Sequence, residues 1–127
     1  MTNPRDRKSV LIVDDEVGIR DLMQRLFARR GLHLTIVTNV AEALAAIGSG
    51  RFDLLISDLS LPNGDGAKIV SAFRERFPRA PIILMSGAFP PEAQMRSLQA
   101  LGVCATFAKP FNIRDIESAV FQALKIA

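Results

Sequence analysis

Four apolar runs in this chain end in polar groups, and together those groups outline a chemistry. Asp14 and Asp15 follow Ser9-Val10-Leu11-Ile12-Val13, at the head of the acidic run Asp14-Asp15-Glu16. Asp58 ends Leu54-Leu55-Ile56-Ser57-Asp58, and Ser86 ends Pro81-Ile82-Ile83-Leu84-Met85-Ser86. Lys109 closes the run from Val103 to Ala108. Any one of these is an ordinary turn or cap residue. If all four runs are strands pointing the same way, their ends meet at one rim. Three carboxylates there repel one another, and one or more pKa values rise unless a cation neutralises them. Oxygen ligands with a mostly open coordination shell suit Mg²⁺, which keeps several waters and binds through one or two carboxylates. An ammonium and a hydroxyl facing the same space suit a phosphoryl group, with a carboxylate as nucleophile. Phosphoryl transfer rests mainly on positioning and charge neutralisation, and this set supplies both.

Other chemistries find less support. There is no glycine-rich phosphate loop of the Walker or dinucleotide type, and Gly64-Asp65-Gly66 is too short and too acidic to cradle phosphates. His33 is the only histidine, has no Cys or Ser near it in sequence, and reads as structural. One His and one Cys make no zinc set. Cys104 cannot form an internal disulfide, which agrees with a reducing compartment, and beside a strand it is expected to be a buried structural thiol. The 127 residues suffice for one core and leave no room for a second. The formal charge of +3 comes from basic residues that are dispersed along the sequence, which argues against direct nucleic-acid binding. No apolar run approaches membrane-spanning length, and Met1 to Lys8 lacks the apolar stretch of a signal peptide. The expectation is a soluble cytoplasmic protein with no membrane association.

The elements that must position these groups follow from the apolar periodicity. After a polar arm over residues 1–8, Ser9 to Val13 is a buried strand. Ile19, Leu22, Met23 and Leu26, with Phe27, predict a helix from Val17 to Arg30, stopped by a left-handed Gly31. His33 to Val37 is a second strand. Asn39 with Glu42 resembles a capping box, and a short helix through Leu44 and Ile47 is expected to stop at Gly48. Leu54 to Asp58 is the third strand, turned sharply by Leu61-Pro62-Asn63-Gly64-Asp65-Gly66. Ile69, Val70, Phe73 and Phe77 mark a third helix ending before Pro78, and Pro81 to Ser86 is the fourth strand. Pro91 suits the first turn of a fourth helix, with Met95, Leu98 and Leu101 as its stripe and Gly102 as its end. Val103 to Ala108 is the fifth strand, and Asn112 caps a last helix whose Ile113, Ile116, Val120 and Leu124 face inward. Five strands alternating with five helices predict an α/β fold with a parallel sheet covered on both faces. With right-handed crossovers, the common solution is the flavodoxin-like doubly wound (βα)5 arrangement, strand order 2-1-3-4-5. Ligands then bind beyond the carboxyl ends of strands one and three, where the winding reverses.

Asp14-Asp15, Asp58 with its following turn, Ser86-Gly87 and Lys109-Pro110-Phe111 together resemble a two-component response-regulator receiver domain, from about Ser9 to the C-terminus. The resemblance implies that Asp58 is the phosphoacceptor, served by a phosphohistidine on a sensor histidine kinase or phosphotransfer protein. It implies that Asp14 and Asp15 hold Mg²⁺, with Asp15 the more direct ligand, and that Asp58 and the backbone carbonyl of Ser60 complete the protein ligands. Lys109 would pair with the phosphoryl group, across a cis bond to Pro110. Ser86 would swing toward it and draw Gly87-Ala88-Phe89 along. The same resemblance places 1–127 as a single receiver domain without an output domain, either a stand-alone regulator or a receiver cut from a longer protein. It is not expected to be a turnover enzyme. A downstream protein would be contacted through helix four, strand five and helix five, with Arg96, Arg114 and Lys125 as a basic surface.

One position departs from the family pattern. Counting back from Lys109, the usual switch aromatic falls on Thr106, and the aromatic here is Phe107. One residue along a strand is the opposite face, so Phe107 is expected in the core. The switch would then use Thr106 alone or borrow Phe89. Two other readings stand beside a phosphorylated switch. One is an unphosphorylated protein-binding module on the same fold. The other is a Mg²⁺-dependent phosphatase of the haloacid-dehalogenase type, disfavoured because Ser60 stands where that family has a second Asp.

Overall fold

The computed structural model describes residues 7–61 and 65–125. Five strands and five helices alternate strictly. They are β1 (Ser9–Val13), α1 (Val17–Ala28), β2 (His33–Val37), α2 (Val40–Ser49), β3 (Leu54–Asp58), α3 (Gly66–Arg76), β4 (Ile82–Ser86), α4 (Glu92–Ala100), β5 (Val103–Ala108) and α5 (Ile113–Leu124). The strands form one sheet in the order β2-β1-β3-β4-β5, every pair parallel. This is the expected doubly wound arrangement.

Alternation along the central strands divides the core in two. Leu11, Val13, Leu55, Ile82 and Leu84 face α2, α3 and α4, where they meet Ile47, Phe73 and Leu98. Val10, Ile12, Leu54, Ile56 and Ile83 face the other way, onto Met23 and Phe27 of α1 and Ile116 and Val120 of α5. The strands β3 and β4 are buried along their whole length. That burial on both faces is why they are largely apolar runs, with polar residues only toward their carboxyl ends, Ser57-Asp58 and Ser86.

Several element ends differ from the sequence reading. Helix α1 stops at Ala28, and Arg29 and Arg30 lead into Gly31 at φ +77°, the expected left-handed stop. Helix α2 runs through Gly48 to Ser49, because a helical glycine lowers stability without ending the helix; Gly50 caps it. Pro91 is the cap before α4, not its first residue. Ile113 is half-buried, unlike the fully inward Ile116, Val120 and Leu124. Cys104 is exposed, contrary to expectation. β5 is an edge strand, and its register against β4 jumps from Ile82↔Val103 to Ile83↔Ala105. Cys104 is the residue the ladder skips. The arm before Arg7 and the turn residues Pro62, Asn63 and Gly64 lie outside the described residues.

Among the described residues no helix is long and apolar enough to cross a membrane.

Candidate functional site

Because all five strands are parallel, their carboxyl ends lie on one rim, and that rim collects the polar groups. Asp14 directly follows β1, and its backbone N–H still donates to the Val37 carbonyl at 3.1 Å, so the ladder fixes its position. Asp58 and Ser86 are the last residues of β3 and β4. Lys109 follows β5, anchored by its N–H to the Ser86 carbonyl at 2.8 Å, and its bond to Pro110 is cis, as expected. Asp14, Asp58 and Ser86 are all buried.

Lys109 is the hub. Its Nζ lies 2.8 Å from Asp58 Oδ2, 2.7 Å from Glu16 Oε1 and 2.9 Å from Asp14 Oδ2. Burial opposes the charge on Lys109, but the hydrogen bonds to Asp58, Glu16 and Asp14 outweigh it and raise its pKa above the ordinary lysine value. Asp14 goes the other way from a normal carboxylate: burial raises its pKa, only partly offset by the Glu16 N–H and by Lys109. Asp14 Oδ1 accepts from that N–H at 2.8 Å, whereas Oδ2 faces Lys109 as an ion pair without hydrogen-bond geometry.

The other oxygen of Asp58 is held separately. Oδ1 accepts from both the backbone N–H and the hydroxyl of Ser60, each at 2.8 Å. Ser86 Oγ lies 3.3 Å from Ser60 Oγ and donates to the Ala88 carbonyl at 2.8 Å. A polar chain therefore runs from Asp58 through Ser60 to Ser86 and the β4–α4 loop. Gly66, at the start of α3, closes the floor. A Cβ there would sit 2.8 Å from Leu59 Cα and 3.2 Å from the Asp58 carbonyl, both backbone atoms that cannot move aside cheaply.

Carboxylate oxygens of Asp14, Glu16 and Asp58 lie within 4.8 Å of one another. Carboxylate oxygens are ligands that Mg²⁺ favours, and Lys109 Nζ, within 2.9 Å of an oxygen of each acid, would have to draw back for the ion to enter. Three carboxylates against one ammonium leave two negative charges for a divalent cation to neutralise. The donor set and the poorly partnered Asp14 Oδ2 fit such an ion. Asp15 is exposed and is not one of these three acids; the acid beside Asp14 and Asp58 is Glu16. Sequence reasoning missed Glu16 and the hydroxyl of Ser60. The signal for Glu16 was the third acid of the Asp14-Asp15-Glu16 run.

Thr106 is exposed and pairs with Leu84, so it shares a sheet face with Ser86 two residues on. Phe107 pairs with Met85 and packs into the opposite core, with its ring 6.3 Å from Phe111. Phe89 is half-buried in the loop after Ser86.

A doubly wound parallel sheet with acids, a hydroxyl and a lysine on its carboxyl rim defines a class of phosphoryl-accepting α/β protein. Residues 10–121 match the family model of the response regulator receiver domain, and the chain belongs to that family. It is 31% identical over 119 residues to sporulation initiation phosphotransferase F of Bacillus subtilis, covering 94% of this chain and 95% of that protein. It is 33% identical over 118 residues to the DNA-binding transcriptional regulator NtrC of Escherichia coli, covering 93% of this chain but only 25% of NtrC. The chain thus spans about a quarter of that relative's length. The response regulator TrrA of Thermotoga maritima, solved in complex with Mg²⁺ and BeF, matches with TM-score 0.75 and 28% identity over 91% of this chain and 98% of TrrA. The chain is therefore a receiver domain of two-component response regulators, a family whose members interact with histidine kinases or phosphotransfer proteins and with downstream effectors.

Proposed function

We propose that Asp58 is the phosphoacceptor and that the domain is a Mg²⁺-dependent switch, not a turnover enzyme. The observation that carries this is the buried Asp58 carboxylate 2.8 Å from Lys109 Nζ, inside a cluster of three acids with the donors to hold a divalent cation. Asp14, Glu16 and Asp58, with the Ser60 carbonyl, are the groups that would hold Mg²⁺, and the exposed Asp15 adds negative charge beside them. When bound, the ion neutralises charge on the transferring phosphoryl group.

The chain's own residues then do the rest. An Asp58 oxygen attacks the phosphorus of a phosphohistidine, the P–N bond breaks, and the departing imidazole takes up a proton. Lys109 leaves Asp58 Oδ2 for a phosphoryl oxygen, keeping its charge paired throughout. Ser86 breaks its bond to the Ala88 carbonyl to donate to another phosphoryl oxygen, and the freed carbonyl lets Gly87, Ala88 and Phe89 shift. With Thr106 on the Ser86 face and Phe107 locked in the opposite core, Phe89 is the aromatic free to report the change. The reporting face is α4, β5 and α5, where Arg96 and Arg114 are exposed. The domain acts in the cytoplasm as a single receiver unit.

Incubation with Mg²⁺ and a small phosphodonor tests the reading. Intact mass should show one added phosphoryl group, lost in Asp58→Asn and on chelation. Persistence in Asp58→Asn would sink the assignment.

A further inference from the structure

The rim opposite Asp58 holds a second feature that the phosphoryl chemistry does not use. A cleft of about 670 Å³ opens there, lined by segments that precede β1, β3 and β4 and by the end of α5. Lys8, Arg51, Arg76, Arg79 and Lys125 surround it, against the single carboxylate of Asp53. These residues are scattered in sequence, and only the parallel sheet gathers them. Asp53 is already engaged, accepting from the Ser9 N–H at 2.8 Å. Among the described residues none of these five cations forms an ion pair, whereas Lys109 at the far rim pairs with three acids. Arg76 donates to the Ile47 carbonyl at 2.8 Å and lies over the Phe77 ring, so it is fixed in place. Arg51 and Arg79 are exposed and face the cleft with no side-chain partner among the described residues. The remaining wall is apolar, with Phe77, Pro81 and Leu124.

A neighbouring cleft shares Pro78, Arg79, Ala80 and Pro81 and continues to Gly102 before β5. The groove thus crosses the sheet from β1 to β5. Four parallel strands span about 14 Å, the length of about four extended residues. Cations along an apolar floor of that length match an extended chain that alternates carboxylates with an apolar side chain.

We propose that this groove docks an acidic peptide segment carrying one large apolar anchor, independently of the phosphorylation state at the far rim. Charge complementarity selects the acids, and the Phe77–Leu124 wall takes the anchor.

The test uses the whole chain and a fluorescein-labelled peptide of about ten Glu and Asp residues with a central Phe, read by fluorescence polarisation at low salt. Saturable binding is expected. Arg51→Glu with Arg79→Glu should weaken it at least tenfold, and the single changes Arg51→Gln and Arg79→Gln should each give an intermediate loss. Replacing the peptide Phe by Ser should weaken it several-fold, and Asp58→Asn should leave it unchanged. Phosphorylation by a small phosphodonor checks that each arginine variant is folded, and circular dichroism checks Asp58→Asn. Absence of binding, binding unaltered by the arginine variants, or a loss in Asp58→Asn would each overturn the proposal. So would tighter binding of single-stranded oligothymidylate or of tripolyphosphate, which would make the groove a site for phosphate polymers.

Discussion

Lys109 balances three carboxylates at less than 3 Å, and no other cation among the described residues shares that task. Removing it leaves Asp14, Glu16 and Asp58 to repel one another. Lys109→Met should therefore lower stability by on the order of 1–3 kcal/mol in chelator, between the values for exposed and buried pairs. The loss should shrink in saturating Mg²⁺, which replaces the missing charge; urea unfolding with and without metal measures both. Because the folded pKa of Lys109 is raised, its contribution is whole below the ordinary lysine pKa near 10.5 and fades only as pH climbs above it. Gly66 makes a different kind of residue-scale prediction. Gly66→Ala forces a methyl against Leu59 and the Asp58 carbonyl, an overpacking worth about 1–3 kcal/mol. It should also slow phosphodonor labelling of Asp58, since the strain falls on that backbone. Asp14, Asp58, Ser86 and Lys109 were legible in the sequence because each stands at the end of a largely apolar run. Glu16 and Ser60 were not. Which of several consecutive residues turns inward depends on the loop after the strand, and neighbouring side chains there have no fixed alternation.

At the scale of elements, the sequence specified strands better than helix ends. A strand buried on both faces is apolar up to its carboxyl end, so β3 and β4 announce their limits, whereas α1 and α2 end where backbone hydrogen bonds find other partners. The start of α2 shows the local chemistry. Asn39 Oδ1 accepts from the Glu42 N–H at 2.8 Å, while Glu42 Oε1 turns back to the N–H and hydroxyl of Thr38, not to Asn39. The expected box is thus shifted by one residue on its return arm. Asn39→Ala should cost about 1 kcal/mol. Those two bonds from Thr38 lower the Glu42 pKa below its ordinary 4.5. A depressed carboxylate stabilises above its unfolded pKa and loses that contribution as pH falls through the folded value. Glu42→Gln should therefore flatten the acid side of the stability profile below about pH 4.5, which urea midpoints at a series of pH values would detect. An unchanged slope would mean that the Thr38 bonds do not persist in solution. β5 was legible in its faces, Thr106 toward the Ser86 side and Phe107 into the core, but its bulge at Cys104 left no trace in the residue pattern.

Across the whole molecule, charge is sorted by the direction of the strands. Acids gather beyond their carboxyl ends and bases beyond their amino ends, so a chain with a formal charge of +3 carries two rims of opposite sign. Five-residue strands separate the rims by about 16 Å, beyond the range at which substitutions normally couple. Mg²⁺ should then stabilise the fold from one rim only. At a hundredfold excess over its dissociation constant, the gain is about 2.7 kcal/mol. Asp14→Asn and Glu16→Gln should both reduce the rise in melting temperature with Mg²⁺, and Asp15→Asn should reduce it less, because only the first two carboxylates stand in the cluster with Asp58. The raised pKa of Asp14 adds a direction: protons compete for it at higher pH than for an ordinary carboxylate, so the Mg²⁺ effect should weaken as pH falls, and less so in Asp14→Asn. Arg51→Glu with Arg79→Glu should leave the Mg²⁺ titration where it was. If Asp15→Asn instead proves the most damaging of the three acidic changes, the ion sits farther out on the rim than the Asp14–Glu16–Asp58 cluster. A shift of the titration by the distant arginine changes would show that the two rims communicate through the sheet that separates them.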